Sequence, residues 1–323
     1  MLEPQVETMS ATSNLFLQTK VYQIDLIVAG LAHYPNTPGH TKVELCHKQR
    51  QIWEYDDTDF IHVMTTIKTL AESIRRTYDV QRCALVTTGG LTLSIIPLHG
   101  LQDKWASVTS DVKVFHAKYP GYVSSHDGPT MSPEDLNGLC LKIQRVSGIS
   151  PPFNHTFGGG DLRNIFSRII QGNFSHYRLW EDDDHVAFLT PFANTPGFTV
   201  LVPRTHLSSD ILALDDHDFI KLMLAAKKVE GILAEALGVT RCGMIFEGFE
   251  IDYAHVKLIP VNDDQHASHS WFESDTSAPG EFHDTYPGFV TSLDGDTAAD
   301  LTSLQAKALE IRRQLISRTV VPL

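Results

Sequence analysis

Three residues on one short segment could do chemistry together. They are Tyr253, His255 and Lys257, within Tyr253-Ala254-His255-Val256-Lys257-Leu258-Ile259-Pro260. Side chains of a β-strand alternate between faces, so a strand here puts a hydroxyl, an imidazole and an ammonium on one side. Ala254, Val256 and Leu258 then face the other side, toward a core. An imidazole can attack phosphorus to form a phosphoramidate, and a nearby cation stabilises phosphoryl oxygens as charge spreads over them. The same alternation also describes the solvated face of an edge strand, so spacing alone leaves both readings open.

Other constellations are weaker. His266 and His269 lie near Asp263 and Asp264 but bring no further ligand set, which argues against a zinc site. The acidic run from Glu181 to Asp184 reads as a solvated turn before a strand. No Gly-x-Ser-x-Gly elbow supports serine-hydrolase chemistry. The glycines at 158–160 lack a following Lys-Ser/Thr and read as linker rather than as a phosphate cradle.

The elements that must position the triad follow from periodicity. His185 to Phe192 and Phe198 to His206 are short β-rich runs joined by Asn-Thr-Pro-Gly, an antiparallel hairpin. Asp215 and Asp216 offer an N-cap. Phe219, Leu222, Met223, Ala226, Val229, Ile232, Leu233, Ala236 and Leu237 then form one helical apolar face that Gly238 ends. Two strands follow, within Cys242–Gly248 and Ala254–Pro260. The first half repeats this order, with a helix from about Thr58 to Thr77. Each half is expected to be an α+β meander of strand-strand-helix-strand-strand, with a helix packed on it and a C-terminal helix.

That order recurs because segments recur. Asn36–Gly39 returns as Asn194–Gly197, and Arg82-Cys83 returns at nearly the same offset as Arg241-Cys242. Asp56–Ile61 returns, with one substitution, as Asp215–Ile220. FHAKYPGYVSSHDG from Phe115 matches FHDTYPGFVTSLDG from Phe282, at a slightly larger offset. Four matches in one order imply a tandem duplication. The domains are expected at 14–146 and 163–323, with a proline- and glycine-rich linker at 147–162. The Tyr-Pro-Gly repeats, Tyr119–Tyr122 and Tyr286–Phe289, either lie over a neighbouring site or are packing turns.

Composition narrows the function. The 323 residues suit two domains, and a net charge of −13 offers no basic footprint for nucleic acid. It leaves room for a small phosphorylated ligand held by local donors. Cys46, Cys83, Cys140 and Cys242 form no CxxC pair and read as reduced thiols. The polar, acidic start and the lack of a long apolar run imply neither a secretory signal nor a membrane span. The expectation is a cytoplasmic protein, with the nucleus not excluded.

Asn164 to Leu207 resembles the N-terminal signature of the histidine-triad (HIT) superfamily, and Tyr253–Pro260 sits where that family carries His-x-His-x-His. Two HIT-like halves in one chain resemble the galactose-1-phosphate uridylyltransferase arrangement. The resemblance implies two tandem HIT-like domains forming an intrachain pseudo-dimer, with a homodimer as a further option. It makes His255 the nucleophile, with Tyr253 first and Lys257 third in the triad. Phe166, Ile169 and Phe188 would hold the base, and Thr190 would stand where the family carries an acidic ribose ligand.

Other departures from the family are Phe198 in place of a histidine, Phe246 in place of an asparagine, and a loop Gly248–Asp252 that offers Glu250 and Asp252 instead of phosphate-binding Gln and Ser. Arg204 and His206 would support the site or the fold. Aligning Ser94–Pro97 on Lys257–Pro260 sets Thr92 at the nucleophile position, Gly90 at the tyrosine and Ser94 at the lysine, so the first half would be degenerate. The implied function is a nucleotide hydrolase or nucleotidyltransferase working through a nucleotidyl-histidine, without metal or cofactor. The rival is a binding or interaction protein that kept the fold and lost the chemistry.

Overall fold

The computed structural model describes residues 18–24, 26–46, 51–174, 177–262 and 280–319. Ten strands form one antiparallel sheet. They are β1 (Lys20–Gln23), β2 (Ile27–Leu31), β3 (Thr41–Leu45), β4 (Arg82–Thr87), β5 (Thr92–Leu98), β6 (Tyr177–Glu181), β7 (His185–Leu189), β8 (Thr199–Pro203), β9 (Arg241–Phe246) and β10 (Val256–Val261). Their order is β1-β2-β3-β5-β4-β9-β10-β8-β7-β6. The two halves therefore share a single sheet, sealed where β4 pairs with β9. Val86 faces Ile245 at the middle of that seam, and the two are matching positions of the repeat, at the same offset as Arg82 and Arg241. A pseudo-twofold axis passes between them, and the two halves form an intrachain pseudo-dimer.

Two 22-residue helices cover one face: α1 (Asp57–Tyr78) and α4 (Asp216–Leu237). Each begins with an aspartate cap, Asp56 accepting from Asp59 N–H and Asp215 from Asp218 N–H. Phe60, Met64, Ile67 and Ile74 on α1, and Phe219, Leu222, Val229 and Leu233 on α4, bury the apolar stripe against the sheet. Gly238 ends α4 at φ +73°, its N–H bonded to Ala234 O. Helix α2 (Pro133–Ser147) packs on α4 and β6, whereas α5 (Leu301–Thr319) packs on α1 and β1. Each half thus lends its C-terminal helix to the other. A fifth helix, α3 (Ile165–Ile170), is short and precedes β6. No described helix is long and apolar enough to cross a membrane.

The opposite face is covered by two irregular straps, 99–131 and 280–300, and their placement is reciprocal. Asn194 of the second half donates through Nδ2 to Ser124 O (2.8 Å) and His126 O (2.9 Å) of the first strap. Asn36 of the first half donates likewise to Leu293 O (3.0 Å) and Thr291 O (3.5 Å) of the second. The straps meet each other at Ser124 and Thr291. There Ser125 Oγ accepts from Val290 N–H and Ser292 Oγ accepts from Val123 N–H. Asn-Thr-Pro-Gly and the Tyr-Pro-Gly segment recur together because each turn holds the strap of the other half.

The glycine run has a steric explanation. A Cβ at Gly158 would lie 2.0 Å from Thr205 Oγ1, and one at Gly160, where φ is +128°, 2.1 Å from His206 Cβ. Only glycine lets this segment lie along the end of β8, where His206 N–H donates to Gly159 O.

Candidate active site

β10 is an interior strand, between β9 and β8, which removes the edge-strand reading. Lys257 faces Ile245 on one side and Val200 on the other. The strand begins at Val256, later than the alternation from Tyr253 suggests. Tyr253 N–H is spent on Ile251 O (2.8 Å) and Ala254 N–H on Leu207 O (3.0 Å), so Tyr253–His255 form a turn entering the ladder. The facial division still holds. Ala254, Val256 and Leu258 belong to the core beneath the helices, while Tyr253 belongs to a separate cluster with Phe166, Ile169 and Phe188.

His255 is 3% exposed. Its Nδ1 lies 2.7 Å from the carbonyl oxygen of Tyr253. A carbonyl only accepts, so Nδ1 carries the proton and the lone pair resides on Nε2, which has no hydrogen-bond partner among the described residues. Burial holds the imidazole pKa below its ordinary value; Glu250 opposes that shift and Lys257 reinforces it. The ring is therefore neutral at neutral pH, and the ring of Phe166 lies 5.3 Å away.

Lys257 is not a free cation. Its Nζ donates to Glu250 Oε2 (2.8 Å), Ser125 O (3.1 Å) and Glu247 Oε1 (3.2 Å), which uses all three ammonium protons. The field of Lys257 holds Glu250 down to about 2 despite its burial. Glu247 also accepts from Tyr286 Oη (2.7 Å) and Ser125 Oγ (3.0 Å), one hydroxyl from each strap. Sequence reasoning missed Glu247 and Ser125 as site residues, whereas Tyr286 opens the Tyr-Pro-Gly segment that it left between covering a neighbouring site and being a packing turn. The available signal for Glu247 is a difference between the copies: Thr88 stands at the matching position of the first half.

The hydroxyl of Tyr253 points away from this network. It donates to Pro203 O at 2.7 Å, and its ring stacks on His206 at 4.7 Å with planes 2° apart. His206 in turn bonds the carbonyl of Asp252 (2.8 Å). Tyr253 meets His255 through its backbone. Phe166 and Ile169 on α3 and Phe188 on β7 are all buried, and Phe166 touches Phe188, Tyr253 and His255. Thr190 lies just beyond β7 and outside that cluster. Its Oγ1 accepts from Phe192 N–H and its own N–H donates to Phe198 O.

Phe198 and Phe246 are core residues on opposite faces of the sheet. Arg204 is structural, bonded to Glu181, Asp182 O and Asn154 O. Glu181 thereby departs from the solvated turn expected of the acidic run: it ends β6 between two buried arginines, Arg178 and Arg204. His266, His269, Asp263 and Asp264 lie outside the described residues.

In the first half Ser94 faces Val86 as Lys257 faces Ile245, which sets Thr92 at the position of His255. Thr92 is exposed and offers no imidazole. Ser94 Oγ instead lies 2.9 Å from Nε2 of His40, the counterpart of Phe198.

No protein-family model matches the chain. An uncharacterized HIT-like protein of Saccharolobus solfataricus is 36% identical over 102 residues, which are 30% of this chain and 73% of that protein. A HIT-like protein of Mesomycoplasma hyorhinis is 28% identical over 101 residues, 30% of this chain and 90% of that protein. Among solved structures, a uridylyltransferase covers 98% of this chain and 93% of its own at 12% identity, with a TM-score of 0.45. A Clostridium difficile histidine triad protein covers 35% of this chain and all of its own at 21% identity, with a TM-score of 0.29. By the first of these relatives, the chain belongs to the HIT-like family.

Proposed function

We propose that the protein is a nucleotide hydrolase or nucleotidyltransferase in which His255 is the nucleophile. The observation that carries the reading is the 2.7 Å contact of His255 Nδ1 with Tyr253 O, which fixes the tautomer and leaves a neutral Nε2 free to attack. Nε2 forms a bond to the α-phosphorus of a nucleoside phosphate ester, anhydride or phosphoramidate. The bond to the leaving group breaks, and its electron pair departs with that group. Water or a second acceptor then attacks the phosphorus, gives up its proton, and the N–P bond breaks to restore the neutral imidazole.

While phosphorylated, the imidazole is cationic. The carboxylates of Glu250 and Glu247 stabilise that charge, as their effect on the His255 pKa indicates. Lys257 holds both carboxylates in place. It reaches a phosphate oxygen by exchanging Glu250, whose side chain is 32% exposed, rather than Glu247, which is 3% exposed. Phe166, Ile169 and Phe188 would provide an apolar side for the base, and Thr190, outside that cluster, is assigned to the sugar. The test is mass spectrometry of the protein mixed with nucleotides. A nucleotidyl adduct on His255 is expected, and turnover undiminished in His255→Ala ends the reading.

A second reading has its own support. With His255 and Lys257 3–4% exposed and every proton of Lys257 committed, the site also suits a protein that binds nucleotide without turning it over. Calorimetry across nucleotides, paired with a turnover assay, separates the two: binding without product favours this one.

A further inference from the structure

A cavity of about 430 Å³ lies between the two straps, and neither His255 nor Lys257 lines it. We propose that it is a second binding site, for an uncharged planar nitrogen heterocycle. This goes beyond the chemistry assigned to His255 and does not depend on it.

The volume falls in the range of small-molecule sites. It is not a by-product of the fold, because the pseudo-twofold axis supplies an internal control. The related space on the other half, lined by Asn194, Thr195 and Tyr119, holds only about 20 Å³. The floor is apolar, from Ile96 and Leu98 of β5, and the walls are rings. Tyr122 and His126 come from the first strap, Tyr286 and Phe289 from the second. His126 and Phe289 lie 3.8 Å apart and 31° from parallel, and His283 meets Phe289 edge-on at 5.7 Å. Such walls suit a flat aromatic guest.

The walls are held in place before any ligand arrives. Tyr286 is anchored by its hydrogen bond to Glu247, and the ring of His126 lies 3.3 Å from Ser124 Oγ through Nδ1. Preformed walls spare a ligand the cost of ordering them.

Charge selects the guest. No lysine or arginine is among the described lining residues, and the carboxylate of Glu281 is at the rim. Burial, with the field of Lys257, holds the His126 pKa at about 4, so that ring is neutral. A phosphate would meet the Glu281 carboxylate and no cation among the lining side chains, whereas an N–H donor of a heterocycle would meet that carboxylate as an acceptor.

The test is calorimetry on the full chain with adenine as probe and 5′-AMP as competitor. Adenine is expected to bind, and AMP not to displace it. His283→Trp, which fills the space, is expected to weaken adenine by about tenfold or more, and exposed Glu281→Gln, which keeps the fold, by several-fold. Absence of adenine binding overturns the proposal. So does binding that ignores both substitutions, or adenine displaced by AMP at equal or higher affinity, which would place the base beside His255 instead.

Discussion

Nζ of Lys257 lies 2.8 Å from Oε2 of Glu250, and the two act on the imidazole of His255 with opposite sign. The carboxylate favours protonation of the ring and the ammonium disfavours it. Lys257→Met is therefore expected to raise the His255 pKa, since it removes a cation and leaves Glu250 and Glu247 uncompensated. Glu250→Gln is expected to lower it. Titration of the His255 Cε1–H resonance by NMR reads both, and shifts of the same sign in the two variants would contradict the assignment.

The pair also predicts how stability depends on pH. Glu250 is held at about 2, below its ordinary value of 4.5, so its contribution is present above 4.5 and lost as pH falls toward 2. Lys257 is shifted upward from 10.5, so its contribution is present below that value and fades only in strong alkali. Because Glu250 is partly exposed and Lys257 keeps Glu247, the acid-side loss is about 1–2 kcal/mol. Urea denaturation at pH 6 and pH 3 should show Glu250→Gln losing less stability than the parent across that interval.

Tyr253 offers a sharper division between side chain and backbone. Its hydroxyl bonds Pro203 O, while its carbonyl orients His255. Tyr253→Phe removes the first and keeps the second. Stability should fall by about 1–2 kcal/mol, the cost of leaving a buried carbonyl unpaired, with turnover within a few-fold of the parent. A large drop in kcat at unchanged folding would instead place the hydroxyl in the chemistry.

The parts of the fold that were legible in the sequence are those whose periodicity is long or apolar. Helices α1 and α4 run close to their expected bounds, because caps and stripes are local. Strands β1 and β6 were not anticipated. Lys20–Gln23 and Tyr177–Glu181 are short and carry charges, and only pairing with β2 and β7 makes them strands. The alternation identified Ala254, Val256 and Leu258 as the core face, yet could not reveal where Ala254 N–H would be spent. Glu247 belongs to no motif, and the repeat that holds Ser125 and Tyr286 does not say what their hydroxyls bond. The three converge because a strap from each half crosses the sheet, which is a tertiary fact, although the repeat of the strap sequence was visible.

That crossing makes unequal predictions for two equivalent residues. Asn194 holds the carbonyls of Ser124 and His126 on either side of Ser125, whose own carbonyl and hydroxyl bind Lys257 and Glu247. Asn36 holds the carbonyls of Thr291 and Leu293 on either side of Ser292, whose hydroxyl meets only the N–H of Val123 among the described residues. Each asparagine buries its amide, so each change to alanine leaves carbonyls unpaired and should cost about 1–3 kcal/mol. Asn194→Ala should cost more, its two bonds being shorter. The division lies in activity: Asn194→Ala loosens the cage of Lys257 and should lower turnover several-fold below what its folded fraction accounts for, while Asn36→Ala should lose activity only in step with stability. Thermal unfolding and turnover measured on the same preparations check this. Equal losses of activity per folded molecule in the two variants would mean that the first strap contributes nothing to the His255 site beyond covering it.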